Sequence, residues 1–511
     1  MPTTNSTTTQ PRRVETSLSK IRDEDFGYAQ ARHLLLRAGF GGTDEQIRTL
    51  AEWGPEAAVD HLLNFDEIPA EADQRDKFDH NIMHPRSTAE EQTLKRARQS
   101  NNEDVLAKFR TMRQKAQRAD RTQMREIQRW WFTRMIQTPR PLEEKLTLFW
   151  HGHFATSFRT IEDSYHMYSQ NRMFRENAAG NFADLLRAII RDPAMLKYLN
   201  NNQNRKSSPN ENFARELMEL FSLGEGNYSE RDIKDGAKAL TGFTFRDDAF
   251  YFSKNSHDNN SKRVLGMSGN LDADGFVNAI LFSPACAPYI CAKLYKFFAA
   301  DISTDVKTLK GPQRTVVRNM SSMLQDQRYA MKPVLRRLFL SRHFYDPSVM
   351  GNKIKSPIEL VVGAVRSLNV PIRHIPHLTE AMDMMGQSVF LPPSVKGWDG
   401  GRSWINTSTL YVRQNTLAYM LTGHRINESY VNRNKYDPTN LVAAMNDPRL
   451  DGDPPPMLIA NQLLDLVLGT RPEGAAKILV DAANKVDKPS SAKGITTMLL
   501  LITSMPEYQL C

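Results

Sequence analysis

The sequence predicts an all-α protein, with one large multi-helix domain that carries a small β-hairpin insertion. Two observations lead to this fold class. Helix-capping patterns and Pro or Gly helix stops recur along most of the chain, as between the capping box that opens at Thr43 and the stop at Gly54-Pro55. Only the aromatic-rich segments 243–246 and 249–253 have the composition of paired strands.

The first 140 residues divide by composition into three parts. Residues 1–20 are rich in Thr and Ser, and we predict a disordered polar tail there. Residues 21–65 carry short apolar helix patterns joined by tight turns, which predicts an N-terminal helical hairpin. Residues 66–140 are predicted to be a linker and a long basic helix, because neither Pro nor Gly interrupts residues 88–137.

The remainder of the chain is predicted to be a helical core domain over residues 141–423, which carries the motifs described below. Residues 424–511 are predicted to be C-terminal helices packed on that core.

One face of the long helix is basic. Residues 104–129 contain eight basic and three acidic side chains, and the arginines recur at helical steps. Nucleic acid or another anionic surface is one interpretation, and a solvated helix face is the other. Phe109 is the only aromatic residue among the arginines, which is too few for base stacking, so we favour the solvated face. The residues of this face are Arg110, Arg113, Gln117, Arg121 and Arg125.

Composition excludes several classes of protein. No apolar run approaches the roughly 18 residues of a membrane span, and the polar start does not resemble a signal peptide, so we predict a cytoplasmic protein. The three cysteines, Cys286, Cys291 and Cys511, are too few for a disulfide framework. Walker, Rossmann, zincin and nucleophile-elbow motifs are absent, which argues against the commonest nucleotide, flavin and hydrolase classes.

Two segments concentrate potential metal ligands. In an extended turn, His151 and His153 would point the same way and suit one metal ion. Glu216 and Glu219 share one face of the helix predicted over residues 211–223, beside Arg215. A carboxylate at the edge of a core needs a partner, so we expect a His nitrogen or a metal within about 2–3.2 Å. The alternatives are structurally hydrogen-bonded histidines and a surface Arg–Glu ladder.

Two further segments could bind a ligand. His257 and Asp258 follow the predicted hairpin, where loops carry function, although an exposed polar turn is the alternative. Trp398 and Trp404 lie with Lys396 in a loop rich in Pro and Gly. Exposed, rigid aromatic rings suit stacking on a sugar, so these three residues are predicted to bind substrate. Burial of the rings to anchor the loop is the alternative.

At these segments the chain resembles the domain of unknown function 1800 family, a bacterial family defined by sequence. The family commonly has a polar residue where this chain has Gly152. Many of its members resemble exported proteins and are encoded beside a sulfatase-like family. The resemblance implies no established reaction. It rests on six motifs in order, at residues 31–42, 150–154, 215–224, 240–242, 257–258 and 392–398.

Two functions follow as hypotheses. The first is a metal-dependent enzyme that activates water or oxygen with Zn, Fe or Mn and acts on a polysaccharide or an anionic small molecule. The second is a non-catalytic helical scaffold or carbohydrate-binding protein whose His and Glu side chains form a structural network. In the first hypothesis the metal ligands are His151, His153 and His257, and the catalytic residues are Glu216, Glu219 and Arg215.

Overall fold

The structure is a computed structural model that describes residues 14–69, 78–424, 436–442 and 454–511. It is about 62% helical with two small two-stranded sheets, so the predicted fold class is confirmed. Most of the predicted disordered tail lies outside the described residues.

The helices of the described part are α1 (Tyr28–Arg37), α2 (Asp44–Leu63), α3 (Thr88–Gln99), α4 (Glu103–Gln137), α5 (Pro141–His153), α6 (Phe158–Ile161), α7 (Ser164–Glu176), α8 (Phe182–Ile189), α9 (Pro193–Tyr198), α10 (Asn212–Met218), α11 (Glu230–Ala239), α12 (Ala273–Phe282), α13 (Cys286–Phe298), α14 (Gly311–Asp326), α15 (Met331–Leu340), α16 (Pro357–Leu368), α17 (Ile375–Met384), α18 (Thr407–Thr422), α19 (Pro456–Val467), α20 (Ala475–Asn484) and α21 (Ala492–Ser504).

Local sequence signals set several of these helix ends. The side chains of Thr43 and Gln46 form the predicted capping box at the start of α2. That helix is kinked where two helices were predicted, because Gly54 adopts a left-handed φ of 77° and Pro55 starts the second half.

The predicted hairpin is confirmed. Strand β1 (Phe243–Arg246) pairs antiparallel with β2 (Ala249–Phe252), and Phe243 lies opposite Phe252. A second hairpin, β3 (Lys262–Val264) with β4 (Met267–Gly269), was not predicted. Its three-residue strands are too short to show an alternating apolar pattern.

The long helix α4 has two environments. It contacts α3, and its second half packs on α16 and α17 near the buried residues Phe132 and Met135. Arg110, Arg113 and Arg121 are exposed, as a solvated basic face requires.

Buried residues from Leu18 to Tyr508 form one continuous hydrophobic cluster. The C-terminal helices join it where α19 packs on α16 and α21 packs on α18. The predicted domain boundaries stay predictions. Among the described residues, no single helix has the length and apolarity of a membrane span, and α12 with α13 reaches them only as a pair bent by 76°.

Candidate functional site

Three of the sequence motifs meet at one cavity of about 700 Å³. Its walls are the end of α5, the π-helical turn Glu219–Leu223 that follows α10, the middle of α13 and the loop at residues 396–404. This volume lies within the range of small-molecule sites. The lining side chains that matter below are His153, Glu219, Lys293, Lys396, Trp398 and Trp404.

The two motif histidines do not lie in an extended turn, so that expectation was wrong. The buried residues Phe149 and Trp150 continue helix α5 through His153. Each helical residue turns the chain by about 100°, so side chains two residues apart point about 200° apart. His151 and His153 therefore face different surroundings instead of one shared metal.

His151 is a structural histidine by its contacts. Its Nε2 accepts a hydrogen bond of 2.9 Å from the backbone N–H of Phe390. Its buried ring packs against Trp131, Phe390 and Trp398. Burial lowers the pKa of His151 to about 3, so the ring is neutral near pH 7.

His153 has an unsatisfied nitrogen beside the cavity. Its Nε2–H donates to the carbonyl oxygen of Phe221 at 2.9 Å, which leaves Nδ1 as the unprotonated acceptor. This Nδ1 is buried and has no hydrogen-bond partner among the described residues. Burial, and then the charge of Lys293, lowers the pKa of His153 to about 3. A buried acceptor without a partner costs about 1–3 kcal/mol, which a ligand hydroxyl could recover.

Glu219 faces the cavity from the start of the π-helical turn, an irregularity that is frequent at functional sites. Its carboxylate accepts a hydrogen bond from the hydroxyl of Tyr228. Within the described part of the chain, neither Glu219 nor Glu216 has a hydrogen bond or ion pair to a histidine, so the expected short contact is not found.

The other two predicted catalytic residues lie beside the cavity wall and not on it. Glu216 is half-buried, and its pKa is raised by burial and by the charge of Glu219. Arg215 pairs with Glu230 at 2.9 Å and with Glu211 at 3.4 Å. This arrangement matches the Arg–Glu ladder that was the alternative. Catalytic roles for these residues stay predictions.

His257 is separate from the cavity. Its Nδ1–H donates to the carbonyl oxygen of Thr241 at 2.8 Å, and its ring lies edge-on to Phe252. The hydroxyl of Thr241 also accepts from the backbone N–H of Asp258 at 2.8 Å. Both His257 and Asp258 are buried, so neither the metal site with the motif histidines nor the exposed turn describes this segment.

The tryptophan loop forms one wall of the cavity. Trp398 keeps partial exposure, Trp404 is 7% exposed, and Lys396 is exposed. The loop packs directly on the end of α5, since a Cβ on Gly397 (φ 76°) would lie 2.1 Å from the carbonyl oxygen of Gly152. Substrate binding by Trp398, Trp404 and Lys396 stays a prediction, now with the three residues on one cavity.

The family model for the Protein of unknown function (DUF1800) matches residues 33–510. The chain belongs to this family. Comparison with curated proteins and with solved structures gives no significant match. In this DUF1800 chain, therefore, the sequence resemblance is confirmed and the chemistry must be argued from the cavity itself.

Lys293 was missed by sequence reasoning, although it lies on the cavity of this DUF1800 protein. Among the described residues its ammonium has no hydrogen bond or ion pair, whereas Lys296 lies 3.5 Å from Asp301. Burial, and then the charges of Lys296 and Lys396, lowers the pKa of Lys293 to about 8. The signal was a lone cation within the apolar run around residues 289–295 of α13.

Proposed function

We propose that this cavity binds an anionic, hydroxylated ligand of sugar-acid size. The observation that carries the proposal is a pair of side chains on one cavity. Among the described residues, the buried Nδ1 of His153 has no hydrogen-bond partner and the ammonium of Lys293 has no anionic partner. Both residues line the same cavity, His153 from the end of α5 and Lys293 from the middle of α13.

The Nδ1 of His153 and the ammonium of Lys293 would bind different groups of a ligand. An acceptor nitrogen requires a donor, which a ligand hydroxyl supplies, and an ammonium without a partner requires an anionic oxygen. A sugar acid or a sulfated sugar carries both within one ring. This ligand class is also the anionic small-molecule or polysaccharide partner that the sequence predicts.

The aromatic wall supports a ring-shaped ligand. The partly exposed ring of Trp398 can stack on the apolar face of a sugar, while Trp404 is almost fully buried. The volume of about 700 Å³ accommodates a small saccharide.

A reaction in this cavity is the second candidate. Lys293, with its pKa of about 8, and Glu219, with its Tyr228 partner, are acid–base groups on one cavity. The metal-dependent version, with Zn, Fe or Mn, has two donors here, the Nδ1 of His153 and the carboxylate of Glu219. Structural zinc sites use four protein ligands and catalytic ones three, so the metal version has the weaker support.

The test is calorimetric titration with galacturonate, glucuronate and galactose 6-sulfate, each beside its neutral parent sugar, near pH 7. At least one acid is expected to bind about tenfold more tightly than its parent, because a hydrogen bond to a charged group contributes about 1.5–3 kcal/mol. Equal binding of acid and parent would remove the role of charge, and absence of binding by every member would overturn the proposal.

A substitution of Trp398 tests the proposed stacking of its ring on the sugar. Trp398→Ala is expected to weaken binding of the acid by several-fold, since aromatic contacts contribute roughly 0.5–1.5 kcal/mol beyond area burial. Trp53→Ala is the matched control, because Trp53 is exposed and does not line the cavity. Retention of full affinity by Trp398→Ala would argue against the ring-stacking geometry.

A further inference from the structure

A second group of ligand-type side chains lies where the β1–β2 turn meets the start of α7, and none of its members lines the cavity. Within the described residues, Asp163, His166 and Asp248 each offer one donor atom, and these atoms lie within 4.8 Å of one another. The Nε2 of His166 is 3.1 Å from an Asp248 carboxylate oxygen. We call these three residues the turn cluster.

The central histidine of the turn cluster is buried and incompletely satisfied. His166 is 4% exposed, and its Nε2 lies 3.1 Å from the carbonyl oxygen of Asp247. An Nε2–H that donates there leaves Nδ1 with a lone pair, and within the part of the chain that the structure describes this Nδ1 has no hydrogen-bond partner. It faces the Oδ2 of Asp163 at 3.7 Å. Both atoms are acceptors, so a cation beside them would satisfy the buried nitrogen and the carboxylate together.

The two carboxylates are held in place by other contacts. The Oδ1 of Asp163 caps α7 by accepting from the N–H groups of Tyr165 and His166, both at 3.1 Å, so Oδ2 remains directed at His166. Asp248 is 30% exposed, and its Oδ2 lies 3.4 Å from the Nδ1 of His80. His80 is 55% exposed and can supply a second imidazole from the solvent side.

We propose that the turn cluster binds a divalent transition cation of the zinc class, with Asp163, His166 and Asp248 as ligands and His80 as the fourth. Two imidazoles and two carboxylates suit zinc with tetrahedral coordination, whereas magnesium prefers oxygen ligands and retained water. The ion would fasten the turn between β1 and β2 to the start of α7. Asp163 and His166 are three residues apart, but His80 and Asp248 each lie more than 80 residues from them in the sequence, and no motif marks the set.

The experiment uses the full chain, stripped of metal with a chelator and titrated calorimetrically with ZnCl2, with MgCl2 as the comparison. One zinc ion per chain is expected, with little binding of magnesium and a higher melting temperature in the zinc-loaded protein. Asp248→Asn and His80→Gln should each weaken zinc binding by about tenfold or more, in the range seen for lost metal-site contacts.

The matched control is Asp247→Asn, which makes the same charge change in the same turn and should leave zinc affinity within about threefold. Asp248→Asn is the decisive variant because its side chain is partly exposed, so it does not depend on refolding a core position as His166→Asn would. Zinc binding by Asp248→Asn at the affinity of the natural chain would place the ion elsewhere and overturn the proposal. Failure of the natural chain to bind zinc would overturn the proposal equally.

Discussion

Helix α5 carries buried Glu144 in its first turn and buried His153 in its last turn. Only Glu144 has all its hydrogen-bonding groups paired within the described residues. Glu144 accepts from the indole N–H of Trp131 at 2.8 Å and from Arg175 at 2.7 and 3.0 Å, and Arg134 also pairs with it. His153, at the other end, keeps an acceptor nitrogen without a partner.

Glu144 has a structural role, whereas His153 and Lys293 belong to the proposed binding site. Burial acts to raise the pKa of Glu144, but the guanidinium groups of Arg175 and Arg134 hold it below its usual value. Among the described residues, no charged partner compensates for the burial of His153 and Lys293, which have only a hydrogen bond to the carbonyl oxygen of Phe221 and a cation–π contact with Tyr289, respectively. A buried charge with every partner in place stabilises the fold, whereas unsatisfied groups on a cavity indicate where a ligand completes the set.

The largest change in the free energy of unfolding is expected for a substitution of Glu144, at the start of α5. Glu144→Gln leaves two arginines facing a neutral amide, and removal of one partner from a buried ionic network costs about 3–5 kcal/mol in the free energy of unfolding. Urea-induced unfolding measures the change. Glu211→Gln is the control, because the Glu211 side chain is 38% exposed and pairs only with the similarly exposed Arg215, so it should change stability by about 0.5 kcal/mol or less. A loss below about 1 kcal/mol for Glu144→Gln would contradict the comparison.

The next prediction has the opposite sign. Lys293→Met removes a cation that has no anionic partner among the described residues and contacts only the ring of Tyr289, so the free energy of unfolding should stay the same or rise by about 1 kcal/mol. Lys145→Met is the matched variant, since Nζ of Lys145 lies 2.6 Å from Oε1 of Glu359 in a buried pair, and it should lower stability by about 3 kcal/mol. Equal destabilisation by both variants in urea-induced unfolding would show that Lys293 is satisfied in the same way as Lys145.

The pH dependence of stability and of ligand affinity also tests the role of Lys293. The pKa of Lys293 falls from 10.5 to about 8 on folding, so the unfolded chain binds more protons between these values. The contribution of Lys293 to stability therefore rises with pH across that window. The affinity for an anionic ligand should instead fall as the pH rises through about 8, because the anion binds the protonated form of Lys293. Calorimetry at about pH 7 and pH 9 measures this, and Lys293→Met should abolish the change.

The smallest effect is expected on the basic face of α4. Arg110, Arg113 and Arg121 are exposed, so their joint replacement by Gln should change stability by about 0.5 kcal/mol or less for each. The melting temperature measures it. A collapse of the melting temperature would show that this face packs against another part of the protein.

Local signals predicted the fold well and the site only in part. The capping box at Thr43, the uninterrupted residues 88–137 and the aromatic strands of the first hairpin each depend on neighbours in sequence. Whether α5 continues through His153 depends instead on the burial of Phe149 against distant helices. The isolation of Lys293 likewise exists only once α13 packs beside the π-helical turn.

The most direct test of the cavity as a binding site is the affinity of Lys293→Met for the sugar acid that the natural chain binds best, measured by calorimetry beside Lys296→Met. Both lysines line the cavity, but Lys296 already pairs with Asp301. We predict a loss of about tenfold or more for Lys293→Met and about threefold or less for Lys296→Met, since only Lys293 gains its first ionic partner from the ligand. Equal losses in the two variants, or full affinity in Lys293→Met, would contradict the assignment of the unsatisfied groups as the ligand site.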